Sequence, residues 1–304
     1  MKYITSRKID CFVDAVALGN FDGLHRGHQE LINATKKFGS ATVFSFFPPT
    51  PSVVGGSPIK MILTSREKAF LLDKMGVGLF IEYPFDKDIL SMPPESFVKD
   101  ILIGQLRSRA VIVGEGYRFG HRAGGDYKLL YMLGRKLGFE VKVIPHIMDG
   151  GSKISSTRVR EAIALKAFQA AQGLMGRPYF VMGKVVSGNT IGSSIGIPTA
   201  NIAPSKYKFL PPPGVYGSNV KLGDKDFIGI TNVGSKPTVA DNTEVIVETH
   251  LLGYNGDIYG QTITVEFKEW IRPEHKFKSL EGLRAQIIRD IAIVKASHHE
   301  RGIK

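Results

Sequence analysis

Residues 19 to 28 read GNFDGLHRGH, placing Gly19, Asn20, Phe21, Asp22 and Gly23 ahead of His25 and His28, directly after the apolar run FVDAVAL. Glycine is cheap where a backbone must bend or admit a ligand, and costly inside regular structure. The stretch therefore predicts a strand that ends in a turn and opens a helix. His25 and His28 are three residues apart, so both imidazoles fall on one side of the first helical turn, beside the positive end of its dipole. Free N–H groups at such an end attract anions, and two imidazoles there can bind phosphate oxygens and stabilise charge gathering on a departing pyrophosphate. Metal binding is the rival reading, but it needs a third ligand that no nearby Cys or His supplies.

A second cluster is KISSTRVR, residues 153 to 160. Ser155, Ser156 and Thr157 precede a helical pattern, so their hydroxyls can cap it or donate to a nucleotide phosphate, and Arg160 offers a planar fork. An ordinary N-cap with solvated arginines explains the same residues. Further on, IGIPTANI puts Thr199 and Asn201 two apart. In an extended segment they point the same way and can give oxygen to one hard cation. Mg²⁺ carrying ATP is the natural occupant, and a plain turn is the competing reading. In EVIVETHLL, Glu248 shares a strand face with Ile246 and His250. A carboxylate projecting into a partly apolar cleft can act as general base toward an alcohol; a solvent-facing glutamate is the alternative.

Positioning these groups requires two kinds of architecture. The runs FVDAVAL, SATVFSF, GLFIEY, RAVIVG and FEVKVIP alternate with helical patterns, which implies a mostly parallel, doubly wound sheet with its ligand crevice beyond the carboxyl ends of the strands. The clearest helix is TSREKAFLLDKMG, with a Thr64-x-x-Glu67 capping box and a stop at Gly76. SSTRVREAIALKAFQAAQGL reads as one long helix. The texture then changes: YFVMGKVV, GVYGSNVKL, FIGITNV, EVIVETHLL and ITVEFKEWI are short strands separated by turn residues, the pattern of an antiparallel barrel or sandwich. One amphipathic helix follows, with Leu280, Leu283, Ile287, Ile291 and Val294 on one face. Domains of 1–176 and 177–304 are expected. Trp270 and Cys11 are expected in cores, and KASHHERGIK, with His298 and His299, as a frayed tail.

Composition narrows the partners. Across 304 residues, 40 Lys+Arg against 28 Asp+Glu give a formal net charge of +12, which favours an anionic partner, either nucleic acid or a phosphorylated small molecule. A single cysteine excludes an intramolecular disulfide framework and fits a reducing cytosol. The first ten residues have no apolar h-region, and no stretch approaches the roughly 18 apolar residues of a membrane span. A cytoplasmic protein without a membrane partner is expected, with oligomerisation left open.

Taken in order, GNFDGLHRGHQ, PFDKDILSMPPESFV, GYRFGHRAGGD and ISSTRVREAI resemble the FMN adenylyltransferase module of bacterial bifunctional riboflavin kinase/FAD synthetases. GKVVSG, IGIPTANI, GVYGSNV, TNVGSKPTV, VETHLL, DIYGQTITVEF and IRPEHKF resemble riboflavin kinase across nearly the whole second half. The resemblance implies a Rossmann-like nucleotidyltransferase domain followed by a riboflavin kinase barrel with a terminal helix. It implies that FMN phosphate attacks the α-phosphorus of ATP in the first domain to give FAD. In the second, Glu248 would deprotonate the ribityl 5′-hydroxyl of riboflavin for attack on the γ-phosphoryl. By the same resemblance, Thr199 and Asn201 hold Mg²⁺ and the ATP phosphates, Gly183, Lys184 and the 188–196 turn close over the nucleotide, and Arg272 and Phe277 lie near the flavin.

Five positions depart from the family pattern. Ser45 stands in place of an acid, Phe47 of a histidine, Gly116 of Asn or Asp, Lys153 of an arginine found in some members, and Ser193 of another arginine. Phe47 and Gly116 motivate a second reading, a riboflavin kinase with a weakened or regulatory first domain, whereas the loss at Ser193 would weaken ATP binding in the kinase half. A third, a non-enzymatic flavin- or RNA-binding regulator, rests on the net charge. Against it, Arg118, His121, Arg122, Arg158 and Arg160 fall inside the phosphate motifs and not in a separate basic stripe with aromatic platforms, so nucleic acid is disfavoured.

Overall fold

Apolar runs of four to seven residues bounded by turns become strands, as the alternation required. A computed structural model describes residues 1–48, 60–187, 192, 195–237 and 243–300. Among these, β1 (Lys2–Ile4), β2 (Ala15–Leu18), β3 (Ala41–Phe47), β4 (Leu79–Pro84), β5 (Ala110–Gly114) and β6 (Glu140–Ile144) form a six-stranded sheet in the order β1-β4-β3-β2-β5-β6. Every neighbouring pair is parallel. The polar stretch MKYITS did not signal β1, which adds at the edge. All four residues of β2 are buried, as expected of a parallel sheet covered on both faces. Strand order reverses at β2, between β3 and β5, and open α/β sheets bind ligands outside the carboxyl ends at such a switch point. GNFDGLHRGH begins there.

Helices start and stop where the caps dictate. α1 (Arg26–Lys36) opens on His25. α2 (Ser65–Lys74) has its capping box complete: Glu67 N donates to Thr64 Oγ1 at 3.2 Å, and Thr64 N donates to Glu67 Oε2 at 2.8 Å, each cap being worth about 1 kcal/mol. α3 (Tyr127–Leu137) starts at Asp126, whose carboxylate accepts from two backbone N–H groups. A core of Val16, Leu18, Phe44, Ile81, Val111 and their neighbours fills the sheet. Cys11, expected inside it, is half-buried at its margin.

The chain divides into two compact units, Met1–Ser156 and Thr157–Lys304, whereas sequence texture put the change at 176/177. The single helix expected here is two, α4 (Ser156–Ala164) and α5 (Phe168–Met175), separated at Lys166 with φ +63°. α5 sets Phe168 against the rings of Tyr179, Tyr216 and Phe267, at centroid distances of 6.5, 5.6 and 5.7 Å. Burying such a ring contributes about 2–3 kcal/mol, which ties α5 to the strands that follow.

Those strands, β9 (Phe180–Val186), β10 (Ala200–Ile202), β11 (Gly214–Leu222), β12 (Lys225–Pro237), β13 (Thr243–Leu251) and β14 (Thr262–Arg272), close a barrel in the order β10-β13-β12-β11-β14-β9. All pairs are antiparallel, β9 and β10 making the closure. After β6 in the first unit, β7 (Met148–Asp149) and β8 (Ser152–Lys153) form a small hairpin. Closure leaves no open edge. α6 (Leu280–Glu300) follows with Val294 buried and Leu283, Ile287 and Ile291 half-buried, while Leu280 is 54% exposed.

Two expectations for this half are corrected. His298 is no tail residue: it is buried, with Nδ1 2.9 Å from Val294 O and Nε2 2.9 Å from Asn219 Oδ1, because the helix runs on to Glu300 and docks on β11. Trp270 is not core. It is 38% exposed, with Lys166 Nζ 4.1 Å from its ring, since its place on β14 faces outward. The His299 side chain lies outside the described residues.

Candidate functional site

The turn after β2 is wound tightly. Phe21 and Leu24 adopt φ +49° and +42°, a region that side chains other than glycine populate at a cost. Both are held by complete burial, at 0% and 1% exposure. Gly23 has φ +83°, and a Cβ there would lie 3.1 Å from Ile62 Cδ1. Asp22 is buried; its Oδ1 accepts from Leu63 N at 3.2 Å and its backbone carbonyl accepts from Ser156 Oγ at 2.7 Å. Within this group Phe21 and Asp22 build the turn with their side chains, Gly19 donates its N–H to Phe44 O at 3.2 Å, and Asn20 is exposed.

His25 N-caps α1 through Nδ1, which accepts from His28 N at 3.4 Å, and the two imidazoles stack with centroids 3.6 Å apart and planes 17° apart. Burial lowers His25 to about 4. Burial also holds His28 well below its ordinary value, with His25 and Lys68 adding to the effect. Both rings are therefore neutral near pH 7, a state in which an imidazole meets an anion as an N–H donor and not as a cation. His28 Nδ1 is buried without a hydrogen-bond partner. The hydroxyl of Ser156 reaches the turn through Asp22. Ser155 is half-buried, Thr157 exposed, and half-buried Arg160 sits one turn along α4 from Ser156.

Beneath the turn lies a network that sequence reasoning missed. Lys68 on α2 is 2% exposed, and its Nζ donates to Asn20 O at 3.2 Å, Ser45 Oγ at 3.4 Å and Glu82 Oε1 at 3.3 Å. Ser45 Oγ also donates to Asn20 O at 3.2 Å, and Tyr3 OH donates to Glu82 Oε2 at 2.6 Å. Burial, then Glu82, push the Tyr3 phenol up. In sequence Lys68 is one lysine of an amphipathic helix, and only the tertiary pairing reveals it. Ser45 is thus a bonded member of this network. Phe47 pairs with Pro84 at the end of β3, Gly116 lies beside His146, and Lys153 is exposed on β8. Ser193 lies outside the described residues.

In the barrel unit a cavity of about 840 Å³ is lined by Thr199, Glu248, Arg272 and Phe277, over a floor that includes Val215 and Ile230. β13 supplies Glu248, in register with Asn201 on one side and Asn232 on the other. Asn201 stands behind the lining at 3% exposure, with its Oδ1 buried and without a hydrogen-bond partner among the described residues. Such an orphan acceptor beside a hydroxyl and a carboxylate is the donor set of a hard cation. His250 Nδ1, 2.8 Å from Pro198 O, anchors the PTAN entrance to β13.

Arg272 is held by Asp290 of α6, donating through Nε to both carboxylate oxygens at 3.1 Å and through Nη2 at 2.8 Å, and its guanidinium lies 5.7 Å from the Phe277 ring. Asp290, also missed, is 1% exposed. Gly183 and Lys184 are not part of the lining. They pair with Ile263 and Thr262 of β14, and Gly183 is a packing position, since a Cβ there would sit 2.4 Å from Ile202 Cγ2. The described part of the 188–196 turn contributes Gly192 and Ile195 to the cavity.

Comparison with known proteins assigns the two halves separately. A family model for FAD synthetase matches residues 11–158, and one for riboflavin kinase matches residues 175–298. The bifunctional riboflavin kinase/FMN adenylyltransferase of Escherichia coli strain K12 is 36% identical over 283 residues, 90% of each chain. Its namesake from Haemophilus influenzae is 32% identical over 289 residues, 93% of each. A solved structure described as a macrolide-efflux protein from Streptococcus pneumoniae is similar at TM-score 0.79 and 29% identity, covering 96% of this chain and 95% of its own. Among the described residues no helix is long and apolar enough to cross a membrane.

Proposed function

The chain belongs to the bifunctional riboflavin kinase/FMN adenylyltransferase family, and from that premise we propose how its residues divide the work of making FMN and then FAD. In the barrel unit, Glu248 takes the proton of the ribityl 5′-hydroxyl of riboflavin; the oxygen bonds to the γ-phosphorus of ATP and ADP leaves. Phosphoryl transfer needs positioning and charge neutralisation more than covalent help. Thr199 and Asn201 would be the oxygen donors for Mg²⁺, which would supply neutralisation of the phosphate charge when bound. The observation that carries this reading is the buried, partnerless Oδ1 of Asn201, in register with Glu248 at the cavity. Val215 and Ile230 offer an apolar bed for the flavin, with Arg272 and Phe277 at its end.

In the sheet unit, an oxygen of the FMN phosphate attacks the α-phosphorus of ATP and the bond to pyrophosphate breaks. Neutral His25 and His28, at the N-terminus of α1, donate N–H bonds to the phosphate chain as charge builds on the departing pyrophosphate. Ser155 and Ser156 complete the phosphate contacts, Ser156 being tied to the turn through Asp22. Gly19 to Gly23 let the chain approach closely, and the functional boundary falls at 176/177. We assign the protein to the cytoplasm, with riboflavin, FMN and ATP as its small-molecule partners.

One assay tests both halves. The purified chain is incubated with ATP and Mg²⁺ plus riboflavin, and separately plus FMN, and the flavins are resolved by chromatography. FMN from the first mixture and FAD from the second are expected. Replacing Glu248 by Gln is expected to abolish FMN formation and leave FAD formation from supplied FMN intact. Unchanged FMN formation would remove Glu248 from the mechanism, and failure of FAD to form from supplied FMN would leave a kinase with a silent first unit.

A further inference from the structure

The buried Lys68–Glu82 pair is assigned no role by anything derived above, and its geometry aims it at the adenylylation turn. Three facts converge. First, Lys68 Nζ and Ser45 Oγ both donate to the carbonyl of Asn20, the residue immediately before Phe21, where the chain enters its left-handed path. Second, Lys68 reaches this carbonyl from α2, a helix fixed at its start by a complete capping box. Third, Glu82 on β4 accepts from Lys68 through Oε1 and from Tyr3 of β1 through Oε2, so the ammonium is held from the sheet side. Lys68 and Glu82 are each about 3% exposed as side chains.

A buried ion pair is not an economical way to stabilise a fold, because two desolvated charges are often replaceable by apolar groups of similar volume at no loss. The attraction between Lys68 and Glu82 alone would therefore not account for the other two contacts of Lys68, those to Asn20 and Ser45. What those contacts do is fix a backbone carbonyl. The turn from Asn20 to Leu24 contains two strained residues other than glycine, and strain of this kind persists only when the surroundings over-determine it. The Asn20 anchor is one such determinant, and the Ser156–Asp22 bond is another. Release of Asn20 would let the turn relax and swing the N-terminus of α1, with His25 as its cap.

We propose that Lys68 is a positioning residue for FMN adenylylation: paired to Glu82, it clamps the Asn20 carbonyl with Ser45 and thereby sets the turn and helix N-terminus that receive the phosphates of ATP. Lys68 touches neither substrate. The proposal rests on the adenylyl-transfer reading of the sheet unit. It differs from a purely structural role in one respect: the ion pair serves the site through Asn20, and removing both charges together restores the fold without restoring the site.

The experiment uses the full-length chain. Lys68→Met alone strands a buried carboxylate, so the informative variant is Lys68→Met with Glu82→Gln. Riboflavin phosphorylation reports that the barrel unit is intact and is expected to stay within twofold of wild type, and the sheet unit's own calorimetric transition, expected to persist, reports that the first unit is folded. FAD formation from supplied FMN at varied ATP is expected to show KM for ATP raised at least tenfold, with kcat reduced less than KM is raised. Ser45→Ala, which leaves the ion pair in place and removes one donor to Asn20, is expected to raise the same KM two- to fivefold. If wild type itself forms no FAD, the adenylyl-transfer reading falls first. If wild type forms FAD and the double variant does so with unaltered KM for ATP, Lys68 does not position the site. A fall confined to kcat would equally overturn the proposal. Should the double variant lose kinase activity as well, Ser45→Ala decides: an unaltered KM for ATP in that variant overturns it.

Discussion

Replacing Arg272 by Met puts a number on the contact between the barrel wall and its terminal helix. Asp290 accepts from Arg272 Nε through both oxygens at 3.1 Å, from Nη2 at 2.8 Å, and from Gln286 Nε2 at 2.9 Å. The substitution removes all but the last. Each charge-assisted bond is worth about 1.5–3 kcal/mol taken singly, yet these share one carboxylate and do not add. The better guide is the cost of stripping one member from a buried pair, about 3–5 kcal/mol. Little discount for solvent is due, because the side chains are 19% and 1% exposed. Taking about 4 kcal/mol, and about 3 °C per kcal/mol for a unit of this size, the barrel should melt ~12 °C lower.

The assay is built into the chain, since Trp270 is the only tryptophan and lies on β14 two residues from Arg272, so that its fluorescence follows the barrel unit. The double variant Arg272→Met, Asp290→Leu removes both charges and should recover to within about 1 kcal/mol of wild type. A melting point for Arg272→Met within ~3 °C of wild type would refute the reasoning, as would a double variant no more stable than the single one.

Three further outcomes follow from the same geometry. Glu248→Gln should lower kcat for FMN formation by roughly 10²–10⁴-fold, the usual share of a general base, without moving the Trp270-reported melting point by more than about 1 °C per 0.3 kcal/mol of isosteric change; retention of activity within fivefold counts against the base. Asn201→Ala should raise the Mg²⁺ concentration needed for half-maximal FMN formation at least tenfold and cost the barrel about 1–2 kcal/mol, because its Oδ1 bonds no protein group among the described residues while its Nδ2 gives up a long bond to Thr199 O; an unchanged Mg²⁺ requirement would deny it a ligand role. The third concerns pH. His25 sits at about 4 against an ordinary 6.5, so the folded sheet unit binds fewer protons than the unfolded one between these values. The stability it contributes is present above pH 6.5 and lost as pH falls toward 4, about 3 kcal/mol in all. Calorimetry at pH 7 and pH 5 should show about 2 kcal/mol of that loss from His25, and His25→Gln should make the slope shallower while His28, also depressed by burial, keeps its own share; equal slopes in both proteins would be the contrary result.

Signals confined to a few neighbouring residues were legible. The capping box at Thr64 and Glu67, the glycine-bounded turn before His25, and the period-two alternation around Glu248 each depend on side chains and backbone within one or two turns, and each forms as the residues require. The single helix expected from Ser155 to Leu174 failed for a reason the periodicity hides. The two pieces obey the same apolar spacing, but Phe168 must turn toward Tyr216 and Phe267, which the break at Lys166 permits. β1 escaped notice because an edge strand of three residues, packed on one neighbour, needs no apolar pattern.

What stayed hidden beside both sites is the same kind of object. Lys68 and Glu82 are 14 positions apart and Arg272 and Asp290 are 18 apart, and every one of the four, read singly, is an ordinary surface charge on an amphipathic element. Burial changes their meaning. A lysine at 2% exposure cannot be a solvated side chain, so something must compensate it, and the compensating group must come from another element. In each unit that second element lies next to the cavity or turn proposed above as the site: β4 and β3 beneath the Asn20 turn, α6 across from β14 at the Arg272 end of the cavity. The directional demand of a paired charge, unlike the tolerance of an apolar contact, fixes one geometry. Exchange of either pair for apolar groups should therefore keep each unit folded and cost it catalytic efficiency.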